Sequence, residues 1–249
     1  MIEAVFFPAP MLRPDGRQCH EIRPLSFQRH FTRQAPGSVL VRWGETHVLC
    51  TATIQEDVPP FLQGQSSGWL TAEYRMLPGS TQGRHKREEG KVSGRTAEIQ
   101  RLIGRSLRAA LDLEKLGSRT ITIDADVLQA DGGTRTAAIN GGYVALCDAI
   151  AWLQTQGRID HSPVQTPVAA VSVGLWEAMT IVDLCAHEDN RASVDMNLVM
   201  TASGEFIEIQ GTAEGSPFTS GHLQQLLDLA HPAIQAICQQ QRVALDDNL

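Results

Sequence analysis

Apolar positions along this 249-residue chain follow two different periods. Over 39–43 and 47–54 they form two β-rich runs around Gly44-Glu45, which predicts a hairpin. Over 96–111 the period changes. Ile99, Leu102, Ile103, Leu107, Ala110 and Leu111 recur at three- and four-residue spacing, the stripe that one helix face buries. Residues 119–128 alternate, with Ile121, Ile123, Ala125 and Val127 on one face of a strand, and a small-residue helix is expected over 136–153. The second half restarts with strands over 168–175, 179–185, 194–201 and 205–210. A helical stretch from Thr219 follows, which Pro232 is expected to bend. Pro59, Pro60, Gly64, Gly68 and Pro78 make 58–78 read as a loop. Residues 79–94 read as a second long loop, rich in glycine and charge, and loops of that length usually carry function. Each half thus runs hairpin, further strands, then helix, the order of a duplicated α+β unit.

Composition narrows the class. Hydrophobic content of 42% and charged content of 20% exclude a disordered chain, a collagen-like repeat and a coiled coil. No apolar run approaches the roughly 20 residues of a membrane span, so no membrane partner is expected. The first residues are apolar but hold Pro8 and Pro10 and lack a basic region, unlike a signal peptide. Cys19, Cys50, Cys147, Cys185 and Cys238 contain no Cys-x-x-Cys pair and read as reduced core thiols, so a cytoplasmic location is expected.

The formal net charge of −7 speaks against a protein that coats nucleic acid, but it is unevenly spread. From Arg84 to Arg108 eight cations face three acids, which leaves +5 in this window and −12 elsewhere. Arginine supplies 18 of the 21 basic side chains. Its planar fork suits bidentate phosphate contacts, although a GC-rich genome inflates arginine equally well.

Three constellations could carry chemistry. At Asp131-Gly132-Gly133-Thr134-Arg135 a glycine pair precedes a helix, whose positive end favours an anion, with Thr134 and Arg135 adding a donor and a charge. The glycines alone would also serve an ordinary tight turn. Arg95, in Ser93-Gly94-Arg95-Thr96, stands at the start of the cationic helix, either facing an anion or paired with a surface carboxylate. In Glu188-Asp189-Asn190-Arg191-Ala192-Ser193-Val194-Asp195, Asp189 in a loop and Asp195 at a strand start could share a Mg²⁺; a merely solvated acidic turn has the same look. No His-x-x-x-His pair and no Gly-x-Ser-x-Gly elbow is present. Anion sites and carboxylates without an obvious nucleophile fit phosphoryl or nucleotidyl transfer.

The longer motifs add a relationship. They are Arg13-Pro-Asp-Gly-Arg17, Leu49-Cys-Thr-Ala52, Gly68-Trp-Leu-Thr-Ala-Glu-Tyr74 and Gly94-Arg-Thr-Ala-Glu-Ile-Gln-Arg-Leu-Ile-Gly-Arg105, then Asp126-Val-Leu-Gln-Ala-Asp-Gly-Gly-Thr-Arg-Thr136 and Glu208-Ile-Gln-Gly-Thr-Ala-Glu-Gly215. In this order, over about Leu12 to Gln241, the chain resembles the ribonuclease PH family.

The resemblance implies an α+β fold of the ribosomal protein S5 domain 2 type. Two related βαβα halves would make one RNase PH domain over 12–249, after an extension at 1–11. It further implies a phosphate-dependent 3′→5′ exoribonuclease, or tRNA nucleotidyltransferase. Such an enzyme trims precursor tRNA and other structured RNA to nucleoside diphosphates, reversibly, as a homohexamer built as a trimer of dimers. By matching motif, Arg95, Gly133, Thr134 and Arg135 would bind inorganic phosphate. Asp189 and Asp195 would be catalytic and hold Mg²⁺ (or Mn²⁺), and Arg84 and Arg87 would bind RNA. Where the family has an arginine after Met-Leu-Pro this chain has Gly79, the basic loop is slightly short, and Glu-Asp-Ser is replaced by Glu188-Asp189-Asn190. These departures bear on affinity for the RNA end.

Overall fold

Strand-forming runs in each half build one sheet each in the computed structural model, which describes residues 13–88 and 90–246. The expected extension at 1–11 lies outside the described residues. In the first half, β1 (Leu25–Arg29), β2 (Gly37–Trp43) and β3 (Thr46–Gln55) are joined by β4 (Trp69–Met76) and β5 (Thr120–Gln129), in the order β1-β2-β3-β5-β4. β2 and β3 form the expected hairpin, turned at Gly44 with φ 54°. Pairing is antiparallel except between β4 and β5. That parallel pair needs a crossover, which α1 (Gly94–Arg108) and the one-turn α2 (Leu113–Leu116) supply.

In the second half, β6 (Val168–Trp176), β7 (Met179–Val182), β8 (Val194–Thr201) and β9 (Phe206–Ala213) form an antiparallel sheet of order β7-β6-β8-β9. Two further helices knit the halves together: α3 (Thr134–Thr155) packs against β2, β3 and β6, and α5 (Ser220–Asp246) against β6, β7 and β1. One apolar cluster runs through both halves.

The composition of α3 explains its place. Its small residues let strands approach closely: a Cβ at Gly141 would stand 2.2 Å from Val41 Cγ2. Deep in the core, Asn140 Nδ2 donates to the Ala170 carbonyl at 2.8 Å and its Oδ1 accepts from the Ala170 N–H at 2.9 Å, so the helix meets β6 with no orphaned amide. Although α3 has the length and mean hydropathy (1.2) of a membrane span, most of it is buried inside the protein.

Several expectations need correction. Residues 69–76, read as loop, are β4. Leu70, Ala72 and Tyr74 point into the core while Thr71 and Glu73 face out, and the glycine and proline at its ends flank the strand rather than interrupt it. β1 was not assigned. The strand expected over 179–185 stops at Val182, because Asp183 adopts φ 55° and turns the chain into a one-turn helix, α4 (Ala186–Asp189). Arg108, counted in the cationic window, is no free cation: its guanidinium lies over Trp69 at 4.4 Å and donates to the Leu70 carbonyl at 2.9 Å. Pro232 falls inside α5, as expected of the helical stretch from Thr219.

A buried ionic network fastens the N-terminal segment beneath α4. Arg13 Nε and Nη2 donate to the two Glu188 oxygens, both at 2.7 Å, and its fork also donates to the Val182 and Asp183 carbonyls, both at 2.9 Å. Arg23 Nε and Nη2 donate to the Asp183 carboxylate at 3.0 and 2.6 Å, and the Arg23 backbone N–H donates to it at 2.7 Å. Glu188 is therefore no part of a solvated acidic turn; it is 0% exposed and Asp183 1%. Burial opposes the Glu188 charge, yet Arg13 and the Cys185 N–H hold its carboxyl below the usual range. Arg13→Met strands this charge and should cost about 3–5 kcal/mol in urea unfolding at pH 7. The deficit should shrink in acid, as the pH falls through the lowered Glu188 pKa and the parent protein loses the same ion pair.

Candidate active site

The loop before α3 is pinned on every side. Gly132 and Gly133 take φ 74° and 64°, the left-handed region, and a Cβ at Gly132 would lie 2.5 Å from the Leu184 carbonyl. Thr46 Oγ1 accepts from the Asp131 N–H at 2.9 Å and donates to the Gly132 carbonyl at 2.7 Å. Arg23 Nη1 donates to the Asp131 carbonyl, and Asp131 Oδ1 accepts from the Ala186 N–H at 3.2 Å. Gly133 is the N-cap of α3 and has no side chain with which to cap it. The first N–H groups of the helix, at Thr134 and Arg135, thus keep their donors and the positive end of the helix for an outside acceptor.

That helix end opens on a cavity of about 290 Å³ lined by Arg95, Gly133, Thr134, Arg135, Asp189 and Asp195. Arg95 arrives on the first turn of α1, which Ser93 Oγ caps by accepting from the Thr96 N–H at 3.2 Å. Tyr74, buried on β4, shares a 2.9 Å hydrogen bond with Thr134 Oγ1, and burial pushes its hydroxyl pKa up. Arg135 Nη1 donates to Gln210 Oε1 at 3.0 Å. Among the described residues no carboxylate forms an ion pair with Arg95 or Arg135. Two guanidinium groups without a direct ion pair and a bare helix start therefore share one concave site, an arrangement that favours a multiply charged anion.

The carboxylates lie on the opposite side of the charge balance. Burial, then the neighbouring Asp189, push the Asp195 carboxyl up to about 6 against the pull of Arg135 and Arg95. Asp189, at the C-terminal end of α4 rather than in a loop, reaches solvent. Crowding by the surrounding protein still raises its carboxyl above the usual range, with Arg135 and Arg95 opposing. Two neighbouring acids whose charged forms are both disfavoured are a fit for a divalent cation.

All six residues expected at phosphate and metal are thus brought together. The pair expected to bind RNA is divided: Arg87 lines an adjoining cavity of about 350 Å³ with Lys86 and Arg95, whereas Arg84 is exposed outside both cavities. Tyr74, Asn197 and Gln210 were missed. Tyr74 carried a signal, since it closes a quoted motif, but its segment was read as loop. Asn197 and Gln210 follow from strand alternation once Asp195 is placed.

Comparison with known proteins agrees with this geometry. Residues 21–151 match the 3′ exoribonuclease family, domain 1, and residues 166–233 its domain 2. A protein named Ribonuclease PH from Synechococcus sp. (strain JA-2-3B'a(2-13)) is 65% identical over 237 residues, covering 94% of this chain and 97% of that protein. Another of that name from Nostoc sp. (strain PCC 7120 / SAG 25.82 / UTEX 2576) is 58% identical over 235 residues, covering 94% and 95%. Among solved structures, rice (Oryza sativa) Rrp46 shares the fold with a TM-score of 0.76 at 19% identity, over 94% of this chain and 100% of that one. The Archaeoglobus fulgidus exosome with RNA bound to the active site does so with a TM-score of 0.79 at 19% identity, over 92% of each chain.

The raised Asp195 carboxyl has a measurable consequence. Its ionised form costs stability, so its contribution is fully present below pH 4 and is lost as the pH rises through about 6. With divalent ions chelated, Asp195→Asn should stabilise the fold at pH 8 by about 1–2 kcal/mol. The gain should vanish toward pH 4 in denaturant titrations at the two pH values.

Proposed function

The chain belongs to the ribonuclease PH family and is a phosphorolytic 3′→5′ exoribonuclease of the tRNA nucleotidyltransferase class; we propose that its chemistry takes place in the cavity at the start of α3. The observation that carries this reading is the convergence of unpaired Arg95 and Arg135 on the bare N–H groups of that helix. Inorganic phosphate sits there, held by both guanidinium groups, the Thr134 hydroxyl and the backbone from Gly133 onward. It attacks the last phosphodiester of the RNA in line. A bond forms from a phosphate oxygen to the terminal phosphorus, the bond from that phosphorus to the 3′ oxygen breaks, and the 3′ oxygen takes up a proton. A nucleoside diphosphate leaves, and the RNA is one nucleotide shorter. Because the new P–O–P linkage preserves an activated phosphoryl bond, the same site runs backwards and adds nucleotides to a 3′ end.

Asp189 and Asp195 are the residues that would hold Mg²⁺ (or Mn²⁺). Among the described residues no group of three or more His, Cys, Asp or Glu is assembled, and a pair suits a hard cation that keeps several waters. When bound, the ion supplies neutralisation of charge on the phosphoryl oxygens. Arg87 and Arg84 guide the RNA 3′ end, the first from the wall of the adjoining cavity and the second from the exposed loop. The substrates on this reading are precursor tRNA 3′ ends and other structured RNA, met in the cytoplasm by a homohexamer built as a trimer of dimers. Residues 12–249 act as one functional domain.

A tRNA with extra 3′ residues, labelled at its end, tests the reaction. Nucleoside diphosphate should appear with phosphate present and nothing without it; phosphate-independent release of monophosphate overturns the mechanism. Arg135→Ala should raise the phosphate KM about 10- to 100-fold while RNA binding survives. Replacing Arg84 and Arg87 by alanine should do the converse. RNA affinity should fall, and the slope of log affinity against log salt should flatten by about 1.4, about 0.7 for each lost single-strand phosphate contact.

A further inference from the structure

Gln210 stands opposite Asn197 in the β8–β9 register, one pleat from the Asp195–Thr212 pair. That register puts it on the face of the sheet that lines the cavity. Both ends of its amide are engaged: Nε2 donates to Glu98 Oε1 on α1, and Oε1 accepts from Arg135 Nη1 at 3.0 Å. The two partners dictate one orientation, since a carboxylate can only accept and a guanidinium can only donate. Further along the same helix and strand, Arg105 donates to both Glu208 oxygens, at 2.9 and 2.6 Å. The contact between α1 and β9 therefore does not depend on Gln210.

We propose that Gln210, oriented by Glu98, is a positioning residue that sets phosphate affinity by aiming Arg135 without neutralising it. This rests on the reading above that Arg135 binds the attacking phosphate. A carboxylate at position 210 would fix the guanidinium equally well but would compete with phosphate for its charge; an apolar side chain would leave it free to rotate. The neutral amide fixes direction and leaves the charge for the substrate. Glu98 then acts at one remove, because it holds the amide with its oxygen toward Arg135 and prevents a flip that would set N–H against N–H.

The test separates phosphate from RNA. In Gln210→Met, of similar length but without an acceptor, the phosphate KM should rise about tenfold, with kcat at saturating phosphate and the RNA KM nearly unchanged. Gln210→Glu should raise it further. Glu98→Gln and Glu98→Leu remove the same charge, but the first keeps an acceptor for the Gln210 amide. The phosphate KM of Glu98→Leu should therefore exceed that of Glu98→Gln severalfold; equal values overturn the role given to Glu98. If Arg135→Ala raises the phosphate KM while Gln210→Met does not, the inference falls and the phosphate site stands. If neither moves it, the site assignment itself falls. A Gln210→Met protein with a lowered Tm and both KM values raised together would show a merely structural residue, which also overturns the proposal.

Discussion

Asp183 and Glu188 lie in the interior with almost no solvent contact, and their charges are tolerable there because Arg13, Arg17 and Arg23 surround them. Ions in such a place gain little net stability, since desolvation offsets most of the attraction; what they supply is geometry. Asp183 is the residue at which β7 ends and the chain reverses direction, and Glu188 closes the first turn of α4 by accepting from the Cys185 N–H at 2.9 Å. The path of 183–189 then sets where the Leu184 carbonyl meets Gly132 and where Asp189 faces the cavity. Arg23 reaches from the same network to the Asp131 carbonyl, so the carboxylate side and the phosphate side of the site share one foundation.

The arginines of this protein divide by whether something already satisfies them. Arg13, Arg17, Arg23 and Arg29 are engaged with buried acids and carbonyls. Arg105 is tied to Glu208, and Arg108 lies flat on an indole. Arg95 and Arg135 have no such ion pair among the described residues, and they are the two that face the cavity. The cation count between Arg84 and Arg108 takes in Arg95 but not Arg135, and partners decide what each one does. The overall −7 is therefore compatible with a ligand as anionic as phosphate or RNA, because such a ligand meets local guanidinium groups and a helix start rather than the net charge.

Much of this was legible without coordinates, and what was not has identifiable causes. α1 and α3 carry either a regular apolar stripe or a continuous run of small apolar residues, so their existence and approximate bounds could be read. The glycine pair before Thr134 announced a turn that ordinary side chains disfavour, and its neighbours announced the charge. β4 was hidden because its inward residues, Leu70, Ala72 and Tyr74, are mixed in size and the segment lies between Gly68 and Pro78. Adjacent acids had opposite fates. Glu188 is wholly interior and Asp189 reaches solvent, and the partner that decides this, Arg13, is 175 residues away in the chain. Gln210 stood inside the motif Glu208 to Gly215, but its partners come from a strand register and a helix in the other half of the molecule, which that run does not reveal.

The same 175-residue separation orders the assembly of the protein in time. Arg13 is made early, but its carboxylate partner is synthesised only after both the first sheet and β6 are complete. Contacts so distant along the chain form late, because a long loop must close before any of their energy is realised. Until then Arg13 lacks the carboxylate it shares with α4, while Arg23 and Thr46 already reach the glycine loop from the first half. The carboxylate wall of the cavity, on α4 and β8, is thus the part of its lining that the chain supplies last.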